Sequence, residues 1–184
     1  MPTIFTHAVV PLAVGFGLGA RTVSPRLRMA GVVAAIVPDL DVLAFGFGIP
    51  YAAALGHRGM THSIAFAMLI ALCGVLAVRW LKTSRVMASG FLFFAAVSHA
   101  LLDSLTNGGL GCALLWPFSS ARFFAPWQVI QVSPIGTDFF SSRAMVVLAS
   151  ELKWVWMPCI AVAVLLAGVR RYWAGNPSRS PGVD

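Results

Sequence analysis

Residues 28–50 read RMAGVVAAIVPDLDVLAFGFGIP. The stretch is long and apolar enough to cross a bilayer, yet Pro38, Asp39 and Asp41 interrupt its middle. In a water-soluble domain such a run would be a buried core helix. In a membrane protein it is a span with carboxylates inside it, and the composition of the whole chain decides between the two. Of 184 residues, 59% are hydrophobic and only 10% charged, with a mean hydropathy of +0.85. A soluble domain carries about 25% charged residues. This excess of apolar side chains needs lipid to cover it, so the fold class is all-α, a polytopic membrane helix bundle.

Spans require about 20 mostly apolar residues. Five segments qualify, at about 4–20, 29–49, 62–78, 86–106 and 152–169. The second is expected to be kinked or broken at Pro38, because proline removes a backbone donor and disfavours helix at the residue before it. A single integral membrane domain over 1–175 follows, with a polar, Pro- and Gly-containing tail, GNPSRSPGVD, whose last nine residues, 176–184, are expected to be disordered. The N-terminal stretch has no basic region ahead of its apolar run, so it reads as a retained span rather than a cleaved signal.

The net charge of +7 does not point to nucleic acid. Arg21, Arg26 and Arg28 form one basic group, Arg79, Lys82 and Arg85 a second, and Arg170, Arg171 and Arg179 a third. Each flanks an apolar run, as the positive-inside rule expects of cytoplasmic ends. The resulting topology places the N-terminus, residues 50–61 and residues 107–150 outside, and the C-terminus in the cytoplasm. Residues 114–127, LLWPFSSARFFAPW, suit either the headgroup level, through Trp116, Phe118, Phe123, Phe124 and Trp127, or a loop folded over the bundle. Cys73, Cys112 and Cys159 form no CxxC pair, and the two inside apolar runs, Cys73 and Cys159, read as packing residues.

Ionisable groups inside spans are costly and mark functional sites. Here they are few: His7; Asp39 and Asp41; His57 and His62 within LGHRGMTHS (residues 55–63); His99 and Asp103. All seven fall on the outer side under the charge-derived topology, which made no use of them. Imidazole nitrogens and carboxylate oxygens are the usual ligands of zinc and related divalent ions. His99 and Asp103 are spaced i, i+4 and share a helix face. Asp39 and Asp41, spaced i, i+2, point to different faces of an ideal helix. Either the chain is irregular after Pro38, or one carboxylate ligates and the other orients a histidine. His57 and His62 can act together if HRGMTH is a loop turned at Gly59. Arg58 matches phosphate geometry and suits either an anionic substrate or lipid phosphates. Asp138 and Glu151 belong to the outer segment, and the sequence places neither.

An early TH (Thr6, His7), PDLD (38–41), HRGMTHS (57–63), SHALLD (98–103) and WPFS (116–119) together closely resemble the LexA-regulated, membrane-bound metal-dependent hydrolases of the YdjM type, over roughly residues 1–130. The resemblance implies the bacterial inner membrane and a metal-dependent reaction. The motif order is also similar to a reduced form of the zinc phospholipase C and P1 nuclease pattern. By that likeness His7, Asp39 or Asp41, His57 or His62, His99 and Asp103 are ligands. Those enzymes add a later His and HxxxE, and this chain has no histidine after His99, so one or two ions are expected rather than three.

The expected function is hydrolysis of a phosphoester or ester on a lipid or lipid-linked substrate at the outer face. The ion, zinc by its ligand types, would activate water, and Asp39 or Asp41 would serve as base. The alternative is a non-catalytic metal-binding transporter or sensor, which predicts polar residues continuing to the cytoplasmic side. An intramembrane protease is disfavoured by the lack of HExxH.

Overall fold

The computed structural model describes residues 1–134 and 143–175; the tail 176–184 and Asp138 lie outside them. The described residues are helical and irregular, without a named strand. The helices are α1 (Ile4–Leu18), α2 (Pro25–Ile36), α3 (Ile64–Leu76), α4 (Val78–Leu81), α5 (Arg85–Ser104), α6 (Arg143–Glu151) and α7 (Met157–Gly175).

Ser24 caps α2, accepting from Leu27 N–H at 3.1 Å, and Pro25 occupies the first turn, where its missing N–H costs nothing. At Val37 the helix changes type and continues as a 3₁₀ helix over Val37–Phe47. Pro38 cannot donate to the four-residue ladder, and the chain proceeds with three-residue bonds. The second span is therefore re-wound at Pro38 rather than cut. It ends at Gly48, whose φ of 72° is left-handed.

Among the described residues, three helical runs are long and apolar enough to cross a membrane: Pro25–Phe47, Arg85–Ser104 and Arg143–Gly175. All five expected segments are helical, but Ile4–Leu18 and Ile64–Leu76 have 15 and 13 residues. At 1.5 Å per residue these reach only about 20 Å, short of the roughly 30 Å hydrocarbon core. The last run starts earlier than the expected residue 152, passing from α6 through a π turn at Leu152–Trp156 into α7.

α5 lies at the centre. Phe91, Leu92 and Ala95 pack with Leu27, Ala34 and Ala35 of α2 and Leu81 of α4. Small residues permit the close approach: a Cβ on Gly31 would stand 2.5 Å from the Phe91 ring. Met68, Leu69 and Leu72 on α3, and Val164 and Leu165 on α7, are exposed large apolar side chains, as lipid-facing surfaces require.

The basic groups gather at one end. Arg26 Nη1 donates to Trp80 O at 2.9 Å, the Ser24 hydroxyl to Leu81 O, and Arg170 Nη1 to Phe16 O and Gly17 O. The opposite end is closed by residues 50–63 and 105–134. Ile64 N–H donates to Leu114 O and Ala113 N–H to Arg58 O, both at 3.0 Å. Arg122 ties the two segments together through Tyr51 O, Ala53 O and His57 O. The aromatic stretch 114–127 belongs to this cover, and its Phe118 and Trp127 rings remain exposed.

Candidate metal centre

The covered end holds the ionisable residues, each delivered by a different local device. His7 sits in the first turns of α1 on a buried stripe continued by Pro11 and Gly15. His99 and Asp103 stand one turn apart on the last part of α5. Asp39 opens the 3₁₀ helix, and His62 closes a single 3₁₀ turn, Met60–His62. Asp39, His62, His99 and Asp103 present ligand atoms within 4.8 Å of one another, and all four are buried. His7 stacks on His99 with ring centroids 3.8 Å apart, and its Nε2 lies 3.6 Å from both Asp39 Oδ2 and Asp103 Oδ1. Each carboxylate thus turns one oxygen toward His7. The other faces the histidine pair: Asp39 Oδ1 is 3.4 Å from His99 Nε2, and Asp103 Oδ2 is 3.1 Å from His62 Nε2.

Proton positions follow from the outer partners. His99 Nδ1 is 2.7 Å from Ala35 O, and a carbonyl only accepts, so Nδ1 carries the hydrogen and Nε2 the lone pair. His62 Nδ1 faces Asp41 Oδ2 at 3.3 Å and the Thr61 hydroxyl at 3.1 Å. The same reasoning leaves a lone pair on its Nε2. Two nitrogens 2.9 Å apart then face each other with lone pairs and no hydrogen between them, and oxygens of Asp39 and Asp103 lie beside the pair. Both ring nitrogens of His7, both oxygens of Asp39 and Oδ1 of Asp103 are buried with no hydrogen-bond partner. A cation here answers the inward-facing atoms among these, His7 Nε2 and the oxygens of Asp39 and Asp103, and the cluster can hold a metal ion.

Asp41 is placed differently. Its Oδ1 accepts from His57 Nδ1 at 2.6 Å, and its Oδ2 accepts from Thr61 Oγ1 at 2.6 Å and from the Arg58 N–H at 3.1 Å. It stands outside the four-residue group, although with His57 and His62 it forms a second, smaller group of possible ligands. His57 Nε2 is buried and without a partner. Successive residues of a 3₁₀ helix turn about 120°, so Asp39 and Asp41 face apart. The irregular helix and the division of labour between the carboxylates occur together.

Arg58 is fully buried. Its Nε lies 2.9 Å from Asp103 Oδ2, Nη2 donates to Thr106 Oγ1 at 2.8 Å, and Nη1 to Gly108 O at 2.9 Å. The guanidinium is engaged inside the protein, balancing Asp103. Arg58 also adopts φ 62°, so the left-handed residue of HRGMTH is Arg58 and not Gly59. Gly59 is needed for space: a Cβ there would stand 2.2 Å from Ala54 O. Left-handed backbone at a non-glycine residue costs about 1–2 kcal/mol, and here the Asp41 and Asp103 contacts hold it.

Several contributors carry no sequence signal of their own. Thr61 joins Asp41 to His62, and Thr106 relays Arg58 to the Asp103 carbonyl at 2.7 Å. Glu151, fully buried, accepts from Thr3 N–H, Thr3 Oγ1 and Thr6 Oγ1 at 2.5–2.6 Å. Trp156 Nε1 donates to Thr6 Oγ1 at 2.7 Å, so the last span is fastened beside His7. Pairs such as TxxT are too common to be read alone; only the fold brings residues 3, 6 and 151 together. Burial pushes the Cys112 thiol above its ordinary pKa, which withholds a thiolate ligand. A recess of about 70 Å³ between α3 and α5, lined by His62, Val97, Leu101 and Leu114, touches the centre from the lipid-facing side.

Comparison with known proteins agrees with this membrane setting. The family model described as YdjM inner membrane protein matches residues 1–174. Among curated proteins, the inner membrane protein YbcI of Escherichia coli (strain K12) is 46% identical over 173 residues, spanning 93% of this chain and the whole of that protein. No solved structure matches.

Proposed function

The chain belongs to the YdjM inner membrane protein family, and from that premise we propose that it is a metal-dependent hydrolase of phosphoester or ester bonds in a lipid or lipid-linked substrate. The observation that carries this reading is the pair of lone pairs on His62 Nε2 and His99 Nε2, 2.9 Å apart with no hydrogen between them and with oxygens of Asp39 and Asp103 beside them. His7, Asp39, His62, His99 and Asp103 would hold one or two ions. When bound, the metal would supply Lewis-acid activation of water and of a phosphoryl or acyl oxygen.

The chain's own groups complete the chemistry. Asp41 fixes the hydrogen of His57 on Nδ1 and leaves Nε2 free to accept a proton. His57 Nε2 takes the proton of the attacking water and returns it to the leaving oxygen, with Asp41 stabilising the imidazolium between the two events. Asp41 also orients His62 as a ligand, the usual service of a carboxylate behind a metal-bound histidine. Arg58 balances Asp103 and holds it in place. The small recess between α3 and α5 lies beside His62 on the side from which an apolar substrate would approach from the bilayer. The centre lies opposite the basic end, which supports a position at the outer membrane face under the positive-inside rule.

The test is hydrolysis of phospholipid and phosphoester substrates by the detergent-purified protein, with and without chelator, beside His57→Gln and His99→Ala. Turnover lost in both variants, with metal retained in His57→Gln, is the expected result. Tightly bound metal with no turnover on either substrate class would instead support the non-catalytic reading of a transporter or sensor, which the near-complete burial of the centre also favours.

A further inference from the structure

A second candidate site lies at the other end of α1. There a cavity of about 570 Å³ is bounded by Arg21 of the α1–α2 turn, Arg28 of α2, and Arg170 and Arg171 near the end of α7, with Phe16 and Ala174 among its apolar walls. Its size falls within the range of ligand pockets, about 300–1,000 Å³. Four arginines from three separate elements therefore border one hollow.

No described carboxylate answers them: Asp39, Asp41, Asp103 and Glu151 are all engaged at the covered end. Two of the arginines are held as a frame. Arg28 lies over the Phe16 ring at 4.7 Å, with its Nε buried and without a hydrogen-bond partner. Arg170 caps the end of α1 through Phe16 O and Gly17 O. Arg21 and Arg171 are exposed at the rim. Flanking basic residues that merely obey the positive-inside rule need share no hollow, whereas these four border a single one.

We propose that this cavity binds the phosphate-bearing headgroup of an anionic phospholipid. Guanidinium forks match phosphate oxygens bidentately, and basic pockets between spans on the cytoplasmic side hold such headgroups. The neighbouring apolar surface extends the fit to acyl chains: Phe16 on α1 and Leu165 and Val169 on α7 are exposed toward lipid. A free phosphate ion offers the same headgroup chemistry but nothing for that surface, so the lipid is the occupant assigned.

The test is native mass spectrometry of the detergent-purified chain titrated with phosphatidylglycerol, cardiolipin, phosphatidylcholine or potassium phosphate. Wild type is compared with Arg21→Gln, Arg171→Gln and the double variant. Both residues lie at the rim, away from the metal centre, so unchanged metal content and melting temperature report an intact fold. Arg21→Ser and Arg171→Ser, which also remove the charge, stand in if the glutamine variants fail to fold. The expected result is one retained anionic lipid per chain, preferred over phosphatidylcholine, with affinity falling about five-fold for each charge removed. Equal retention of phosphatidylcholine, or anionic-lipid retention indifferent to the variants, would overturn the proposal. So would arginine-dependent binding of inorganic phosphate without lipid retention.

Discussion

His62 Nε2 and His99 Nε2 stand 2.9 Å apart with their hydrogens already placed on the far side of each ring, against Asp41 and Ala35 O. Two lone pairs at that distance repel unless a cation lies among them. Without metal, a proton on one imidazole relieves the repulsion; a divalent ion does so while also satisfying Asp39 and Asp103.

Elemental analysis of the purified protein is expected to find about one or two ions of the zinc class per chain. His99→Ala removes an inward lone pair and should lose them. Metal added at about a hundred times its dissociation constant should stabilise the wild type by roughly 2.7 kcal/mol, seen as a rise in melting temperature absent from the variant. Full metal content in His99→Ala would remove the centre as assigned.

Asp39 and Asp41 should separate cleanly under the same substitution. Asp39 has no hydrogen-bond donor to lose, and Asp39→Asn replaces an inward oxygen by a group that cannot ligate equally; metal should be lost. Asp41→Asn disturbs the partner behind His57 and His62, and affinity should fall about 10–100-fold while binding remains measurable. Chelator competition distinguishes the two, and identical losses would contradict the division of roles.

Arg58 is expected to act on stability. Arg58→Leu leaves Asp103 buried beside an empty position, at a cost of about 3–5 kcal/mol when metal is absent. Saturating metal should restore part of this, because the cation then balances the carboxylate. Melting curves with and without metal measure both effects. A residue reserved for substrate would leave the metal-free melting point unchanged.

Much of the architecture was legible because burial in lipid makes every polar residue in a span conspicuous. The i, i+4 spacing of His99 and Asp103 gave their shared face, and the interruption at Pro38 gave the change of helix. Charge groups alone put Arg21, Arg79 and Arg170 at one end, and contacts through Arg26 and Arg170 join those segments there. Other relations were not legible. The turn expected at Gly59 falls on Arg58, since anchoring by Asp41 and Asp103 outweighs the intrinsic preference of glycine for positive φ. The lengths of α1 and α3 depend on where the cover begins, which hydropathy does not register. Glu151 had no place until residues 148 positions apart met in space.

That meeting yields the remaining expectation. Glu151 satisfies three donors on Thr3 and Thr6, and Thr6 precedes His7 directly. Glu151→Ala strands those donors in a dry interior, costing at least about 1–3 kcal/mol, and frees the start of α1 from the last span. His7 then loses its fixed distance to Asp39 and Asp103, so metal affinity should fall by about ten-fold although Glu151 contributes no ligand atom to the cluster. Glu151→Gln keeps an accepting oxygen and should recover part of the loss. Affinities from chelator competition for the three proteins decide it: if Glu151→Ala binds metal as tightly as wild type, the last span stabilises the bundle without positioning His7.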